Sequence, residues 1–244
     1  TRSADRLRRV LVAGRALWFY LGKLFWPVDL AFSYPRWTIS AANPLDYVWL
    51  LATAVLAVGI YFARRRLGRG PEVALVYFAA TLSPMLGFIM LYTFRYSFVA
   101  DHYQYLASIG PLALAAAGLT LGGRFLGRQR FVLEPAVGVA LLLSLGVLTW
   151  QQCKMYSDSD TLWWTTIAKN PKSWMAYNNI AISLLQKGKT DEAIAHYNKA
   201  LELDPNYGEG HYNLANALLR LGRTQEAVAH YEKALEIYPN NISA

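Results

Sequence analysis

Residues 174–207 read WMAYNNIAISLLQKGKTDEAIAHYNKALELDPNY, and residues 208–241 read GEGHYNLANALLRLGRTQEAVAHYEKALEIYPNN. The two stretches align over 34 residues without a gap. They share Asn-x-Ala, Leu-Leu, Gly-x-Thr-x-Glu-Ala-x-Ala-His-Tyr-x-Lys-Ala-Leu-Glu and Pro-Asn. Each period predicts a pair of helices. Gly188 and Gly222 end the first helix of each pair, as a C-terminal glycine does. Alanines let the paired helices approach closely, tyrosines plug the gap between them, and Pro205 and Pro239 stop the second helix.

A 34-residue period with small residues at fixed places is the tetratricopeptide signature. The small, aromatic and proline positions are Ala181, Ala193, Tyr197, Ala200 and Pro205 in one repeat, and Ala215, Ala227, Tyr231, Ala234 and Pro239 in the next. Upstream, Asp160–Lys169 followed by Asn170-Pro171 reads as the second helix of a degenerate preceding repeat. Such arrays bind extended peptides on a concave face lined by the first helices. Asn179 and Asn213 share one repeat position, and Asn216 follows a turn later. An asparagine amide both donates and accepts, so these three are candidate peptide contacts. They resemble the asparagine ladder of O-GlcNAc transferase repeats, and polar surface or inter-helix bonding is the alternative. His196 and His230 repeat on the second helices and read as a solvated convex face. No metal site is expected.

The rest of the chain has a different character. Overall 55% of the 244 residues are apolar and 16% charged, against roughly 45–50% and about 25% in ordinary soluble chains. Up to Tyr156 there are 16 basic and 6 acidic residues; from Ser157 onward there are 8 and 10. Four segments, at about 45–63, 73–92, 105–122 and 132–150, have the roughly 20-residue apolar length of a membrane span. A fifth, 10–30, carries Arg15 and Lys23. It predicts either a span with snorkelling cations or an interfacial helix with Trp18, Phe19, Tyr20, Phe25 and Trp26 at headgroup depth. The stripe Ala113, Ala115–Gly118 predicts close helix packing.

Arginines cluster before the first segment (Arg2, Arg6, Arg8, Arg9), after the second (Arg64–Arg66, Arg69) and after the fourth (Arg124, Arg128, Arg130). The alternate loops hold only Arg36 and Arg95. By the positive-inside rule the arginine-rich links are cytoplasmic and everything after Trp150 is extracytoplasmic. The basic excess is thereby a topology signal, and nucleic acid is excluded as a partner. The single cysteine, Cys153, forms no internal disulfide.

One outward loop carries unusual chemistry: Arg95-Tyr-Ser-Phe-Val-Ala-Asp101-His102-Tyr-Gln-Tyr105-Leu-Ala-Ser-Ile-Gly110. Ionisable groups at membrane depth are functional candidates. The order of spans, this loop and outward repeats resembles the C-terminal part of the transmembrane and tetratricopeptide-repeat O-mannosyltransferases and their bacterial relatives, polytopic GT-C glycosyltransferases. Asp101, His102, Tyr105, Ser108 and Gly110 match that family's Ala-Glu-Arg-x-x-Tyr-x-Pro-Ser-x-Gly segment, with Ala107 replacing its proline and His102 its arginine. The stretch 20–27 (YLGKLFWP) is similar to the helix ahead of the family's last spans.

The resemblance implies an enzyme transferring a sugar, mannose by analogy, from a polyprenyl-phosphate donor to a protein hydroxyl. Arg95, His102, Lys23 and Tyr105 would lie near the lipid phosphate; Asp101 is the candidate base within this chain, with orienting His102 or Arg95 as its expected role. No cofactor is expected in this chain, the polyprenyl-phosphate sugar is the donor substrate, and the resemblance leaves a divalent metal open. The family's catalytic acid sits in an earlier loop, so the chain is expected to be a piece of a longer protein and incomplete as a catalyst by itself. More repeats are expected after Ala244.

The expectation is an all-α chain: a membrane domain at 1–150, a linker with a half-repeat at 151–173, and two repeats at 174–207 and 208–241. It is placed as a multi-pass inner- or plasma-membrane protein, leaning bacterial, with membrane lipid and a protein or peptide as partners. The alternative function is a non-catalytic membrane-anchored scaffold or an accessory subunit of a larger membrane complex.

Overall fold

The computed structural model describes residues 2–86 and 97–239, with the side chains of residues 2–5, 125, 126, 128 and 130 set aside. Among the described residues the regular structure is all helical, without a strand. They form two compact units, 1–153 and 154–244.

The first unit is built from α1 (Arg2–Phe25), α2 (Val48–Leu67), α3 (Gly70–Leu82), α4 (Ile109–Gly123) and α5 (Arg130–Cys153). Helix α1 stops at Phe25, short of the expected residue 30. Pro27 disfavours helical backbone at Trp26 and lacks the N–H that would continue the ladder. Much of its apolar stripe packs inside the unit. Leu11, Val12, Ala13, Ala16 and Tyr20 are buried, and Trp18 Nε1 donates to Thr53 Oγ1 at 3.0 Å and to the Trp49 carbonyl at 3.2 Å, which pins α1 to α2. Of the five expected headgroup aromatics only Phe25 and Trp26 are well exposed, at 59% and 72%.

Two described stretches, Pro44–Leu67 and Phe131–Tyr156, are long and apolar enough to cross a membrane. At about 1.5 Å per residue each exceeds the roughly 30 Å of a hydrocarbon core. Their apolar side chains are largely exposed, among them Leu51, Phe62, Leu142 and Val147. Ile109–Gly123 is apolar but shorter. The expected segment 73–92 gives α3, which ends at Leu82 before a 3-10 turn at Ser83–Met85 around Pro84; residues 87–92 lie outside the described residues. Of the five expected spans, two meet this measure among the described residues.

The small-residue stripe does not serve as expected either. A Cβ on Gly118 would meet nothing within 4 Å, whereas one on Gly110 would lie 2.9 Å from the Ala74 carbonyl oxygen. Gly110 thus lies in close contact with α3, and Gly118 faces open space.

The second unit contains α6 (Ser159–Lys169), α7 (Trp174–Gln186), α8 (Thr190–Leu203), α9 (Gly208–Arg220) and α10 (Thr224–Ile237). Helices α7 and α8 form one hairpin and α9 and α10 the next. Gly188 and Gly222 take the left-handed conformation at φ 76° and 74° between paired helices, where an L side chain is disfavoured. Ala181, Ala193, Ala215 and Ala227 are at most 1% exposed, with Tyr197 and Leu214 packed among them. The Asp158 side chain caps α6 by accepting from the Thr161 N–H at 2.8 Å. Asp160 then ties α6 to α7, accepting from the Ser183 hydroxyl and the Lys187 ammonium.

Candidate functional site

Each unit presents one group of side chains that chemistry can use. In the second unit a groove of about 510 Å³ opens along the first helices of the repeats. Ile182, Leu185 and Leu219 line its apolar part; Asn213, Asn216 and Arg220 contribute polar groups. The Tyr197 ring reaches it from α8, and burial raises that phenol to about 12, so it stays a neutral hydroxyl.

The three predicted asparagines meet different fates. Asn179 turns its amide back on its own helix and donates to the Met175 carbonyl at 2.8 Å. Asn213 donates to Asn178 Oδ1 at 3.1 Å, bridging the two first helices, and Asn216 Oδ1 accepts from the Tyr231 hydroxyl at 2.7 Å. Two therefore line the groove, each held by a second residue, and the third does not. Asn178, 2% exposed, escaped the sequence reading. Its signal was helical spacing: residues 178, 182 and 185 follow one face of α7 as 213, 216 and 220 follow one face of α9.

The histidines are not a solvated face. The His196 ring packs edge-on against Trp164 at 5.4 Å and stacks on Tyr177 at 5.9 Å between centroids. His230 Nδ1 lies 3.0 Å from His211 Nδ1, and His211 Nε2 lies 3.1 Å from the Pro205 carbonyl oxygen. Burial lowers the pKa of both His196 and His230. The expectation failed because the repeat places this position between helices, facing the first helix rather than water. Among the described residues no three His, Cys, Asp or Glu side chains are grouped to hold a metal.

In the first unit, Arg95 lies outside the described residues. Asp101 opens a 3-10 turn, Asp101–Gln104. Its Oδ1 accepts from the Tyr34 hydroxyl at 2.8 Å, and that hydroxyl accepts from the Ala31 N–H at 3.1 Å. Tyr34 had no part in the sequence reading, and its 67-residue separation from Asp101 gives no local signal. Lys23 sits 5.6 Å above the Tyr34 ring and 5.7 Å above Phe19, donating to the Val28 and Asp29 carbonyls. The structure thus brings Lys23 and Asp101 to one tyrosine. His102 is exposed and packs edge-on to Tyr103 at 4.6 Å, and Tyr105 is 72% exposed; neither joins Lys23. The other cation of α1, Arg15, lies 4.6 Å over the Trp37 ring, a cation–π contact in place of snorkelling.

The tetratricopeptide repeat family model matches residues 161–208 and 178–242. The second unit is accordingly a tetratricopeptide array, beginning with the second helix of a partial repeat. Among solved structures, a point mutant of MamA is similar at 30% identity, over 52% of this chain and 93% of that one, with a TM-score of 0.31. MamA MSR-1 C2 is similar at 23% identity, over 67% and 95%, with a TM-score of 0.32. No curated protein matches.

Proposed function

We propose that this chain is a membrane-anchored tetratricopeptide scaffold that holds a segment of a partner protein in the groove of its repeats. The observation that carries the reading is the groove on α7 and α9, with an apolar floor flanked by Asn213, Asn216 and Arg220. A floor of that kind takes apolar side chains, while fixed amides satisfy a peptide backbone that would otherwise lose its water. The exposed apolar lengths of Pro44–Leu67 and Phe131–Tyr156 support the anchor. The arginine distribution supports an extracytoplasmic array.

A photo-crosslinking side chain at Leu185 tests the groove. It should capture a partner that the same group at exposed Lys199, on α8, does not, and Asn213→Ala with Asn216→Ala should abolish the capture. Equal capture at both positions sinks the reading. Cys153, the single cysteine and exposed, tests the topology: an impermeant maleimide should label it from the extracytoplasmic side of intact cells, and labelling only after lysis would reverse the orientation.

A second reading, sugar transfer from a polyprenyl phosphate to a protein hydroxyl, is favoured by Lys23, Tyr34 and Asp101 sharing one site. It predicts transfer from a polyprenyl-phospho-mannose by the full-length protein, lost in Asp101→Asn with Lys23→Gln. Equal activity in the variant would remove this site from the mechanism.

A further inference from the structure

The paired histidines of the second repeat have a geometry that constrains their protons. His211 Nε2 faces the Pro205 carbonyl oxygen at 3.1 Å. A carbonyl only accepts, so Nε2 carries the hydrogen. The Nδ1 of a neutral His211 is then a lone pair, aimed at His230 Nδ1 3.0 Å away. The ring planes differ by 26° and the centroids lie 5.2 Å apart, farther than the two nitrogens by about the width of a ring. Each nitrogen therefore points along the line to the other ring, the alignment of an N–H···N hydrogen bond donated by His230. Such a contact tolerates no proton beyond the one it shares on that line. A first added proton goes to the remaining nitrogen of His230 and strengthens the bond; a second must occupy the His211 lone pair and sets two N–H groups against each other.

We infer that His211 and His230 form an acid-sensitive latch that joins α9 to α10 and to the turn after α8, closed with at most one added proton and opened by the second. The latch spans three elements. His230 stands on α10, His211 on α9, and Pro205 in the turn between the two repeats. After burial, the largest cause, His211 facing it from α9 lowers the His230 pKa, and Glu226 on its own helix raises it. Glu226 is itself engaged by Arg223, at 2.7 and 2.6 Å, and Asp204 precedes Pro205 in the turn. Burial also disfavours charge on His230. The folded chain therefore holds fewer protons there than the unfolded chain as pH falls below 6.5, and stability falls with it. Because α9 also carries Asn213 and Asn216, opening the latch would loosen the groove helix. That consequence rests on the groove reading, whereas the latch itself does not.

The test is a titration of the full chain in detergent micelles, labelled with ¹⁵N-histidine. Single His→Gln variants assign the four histidines. His211 and His230 should titrate in two steps separated by more than about one pH unit. In His211→Gln, His230 should titrate in a single step, and the low-pH fall in thermal midpoint should shrink relative to wild type. His230→Gln, read at His211, gives the reciprocal measurement if the first variant loses its helical circular dichroism. Independent single-step titration of both rings near 6.5 in the wild type, or a His230 curve unchanged by His211→Gln, would overturn the latch.

Discussion

Substituting Gly210 by alanine sets two effects of known size against each other. Replacing glycine within a helix gains about 1 kcal/mol of helix propensity, less in the first turn, where Gly210 sits. The added Cβ, however, would lie 2.4 Å from Tyr207 Cδ1 and 3.0 Å from Leu201 Cδ2. Neither neighbour is free to retreat: Tyr207 is 4% exposed with its ring 4.3 Å from that of Trp174, and Leu201 is 9% exposed. Overpacking of this kind costs about 1–3 kcal/mol, so the clash wins, by about 1 kcal/mol net. The preceding repeat supplies the control. Its equivalent positions are Ser173 and Ala176, 5% and 0% exposed, a small residue where Tyr207 stands and an alanine where Gly210 stands. Thermal unfolding of the full chain, with hydrogen exchange over residues 204–220 to localise the change, should show Gly210→Ala lowering the midpoint of the repeat unit by about 4–8 °C. Tyr207→Ser combined with Gly210→Ala should cost less than the sum of the two single changes, since the clash disappears with the ring. A midpoint raised by Gly210→Ala, or strict additivity in the double variant, would refute the reasoning.

Other positions follow from the same geometry. Asp158, lowered to about 2 chiefly by the Thr161 N–H and then by the Thr161 and Ser157 hydroxyls, should contribute to α6 above pH 3.8 and lose that contribution as pH falls toward 2; Asp158→Ala should fray α6 in hydrogen exchange and flatten that part of the acid transition. Gly188→Ala or Gly222→Ala should each destabilise the array by about 1–2 kcal/mol, with Asn less costly at either position, as a denaturant midpoint would report. Tyr34→Phe removes the bond to Asp101 and the acceptor for the Ala31 N–H, so it should cost about 1–3 kcal/mol and raise exchange at Ala31.

Amino-acid order was most informative where structure repeats locally. The 34-residue period located α7 to α10, their turns and the two left-handed glycines, because each hairpin is specified by contacts within its own repeat and its neighbour's. It also picked out Asn213 and Asn216, whose amides bond between helices to Asn178 and Tyr231 at the edge of the groove. The first unit was less legible. Hydropathy marks an apolar segment without saying whether protein or lipid covers it, so it did not show that Tyr20 and Ala16 of α1 are buried in a helical core. Proline positions carried more information than the hydropathy window there, since Pro27 ends α1 and Pro84 follows α3.

By itself, then, the sequence determined an all-helical chain of two characters, its repeat register and the small residues that let the repeats pack. Tertiary structure alone decided which side chains meet. Tyr34 reaches Asp101, Asn178 takes the Asn213 amide, and His211 faces His230. The physical reason is that periodicity fixes the face a residue occupies on its own helix, whereas a hydrogen bond between helices depends on their crossing and offset, which side-chain packing sets only once the chain has folded.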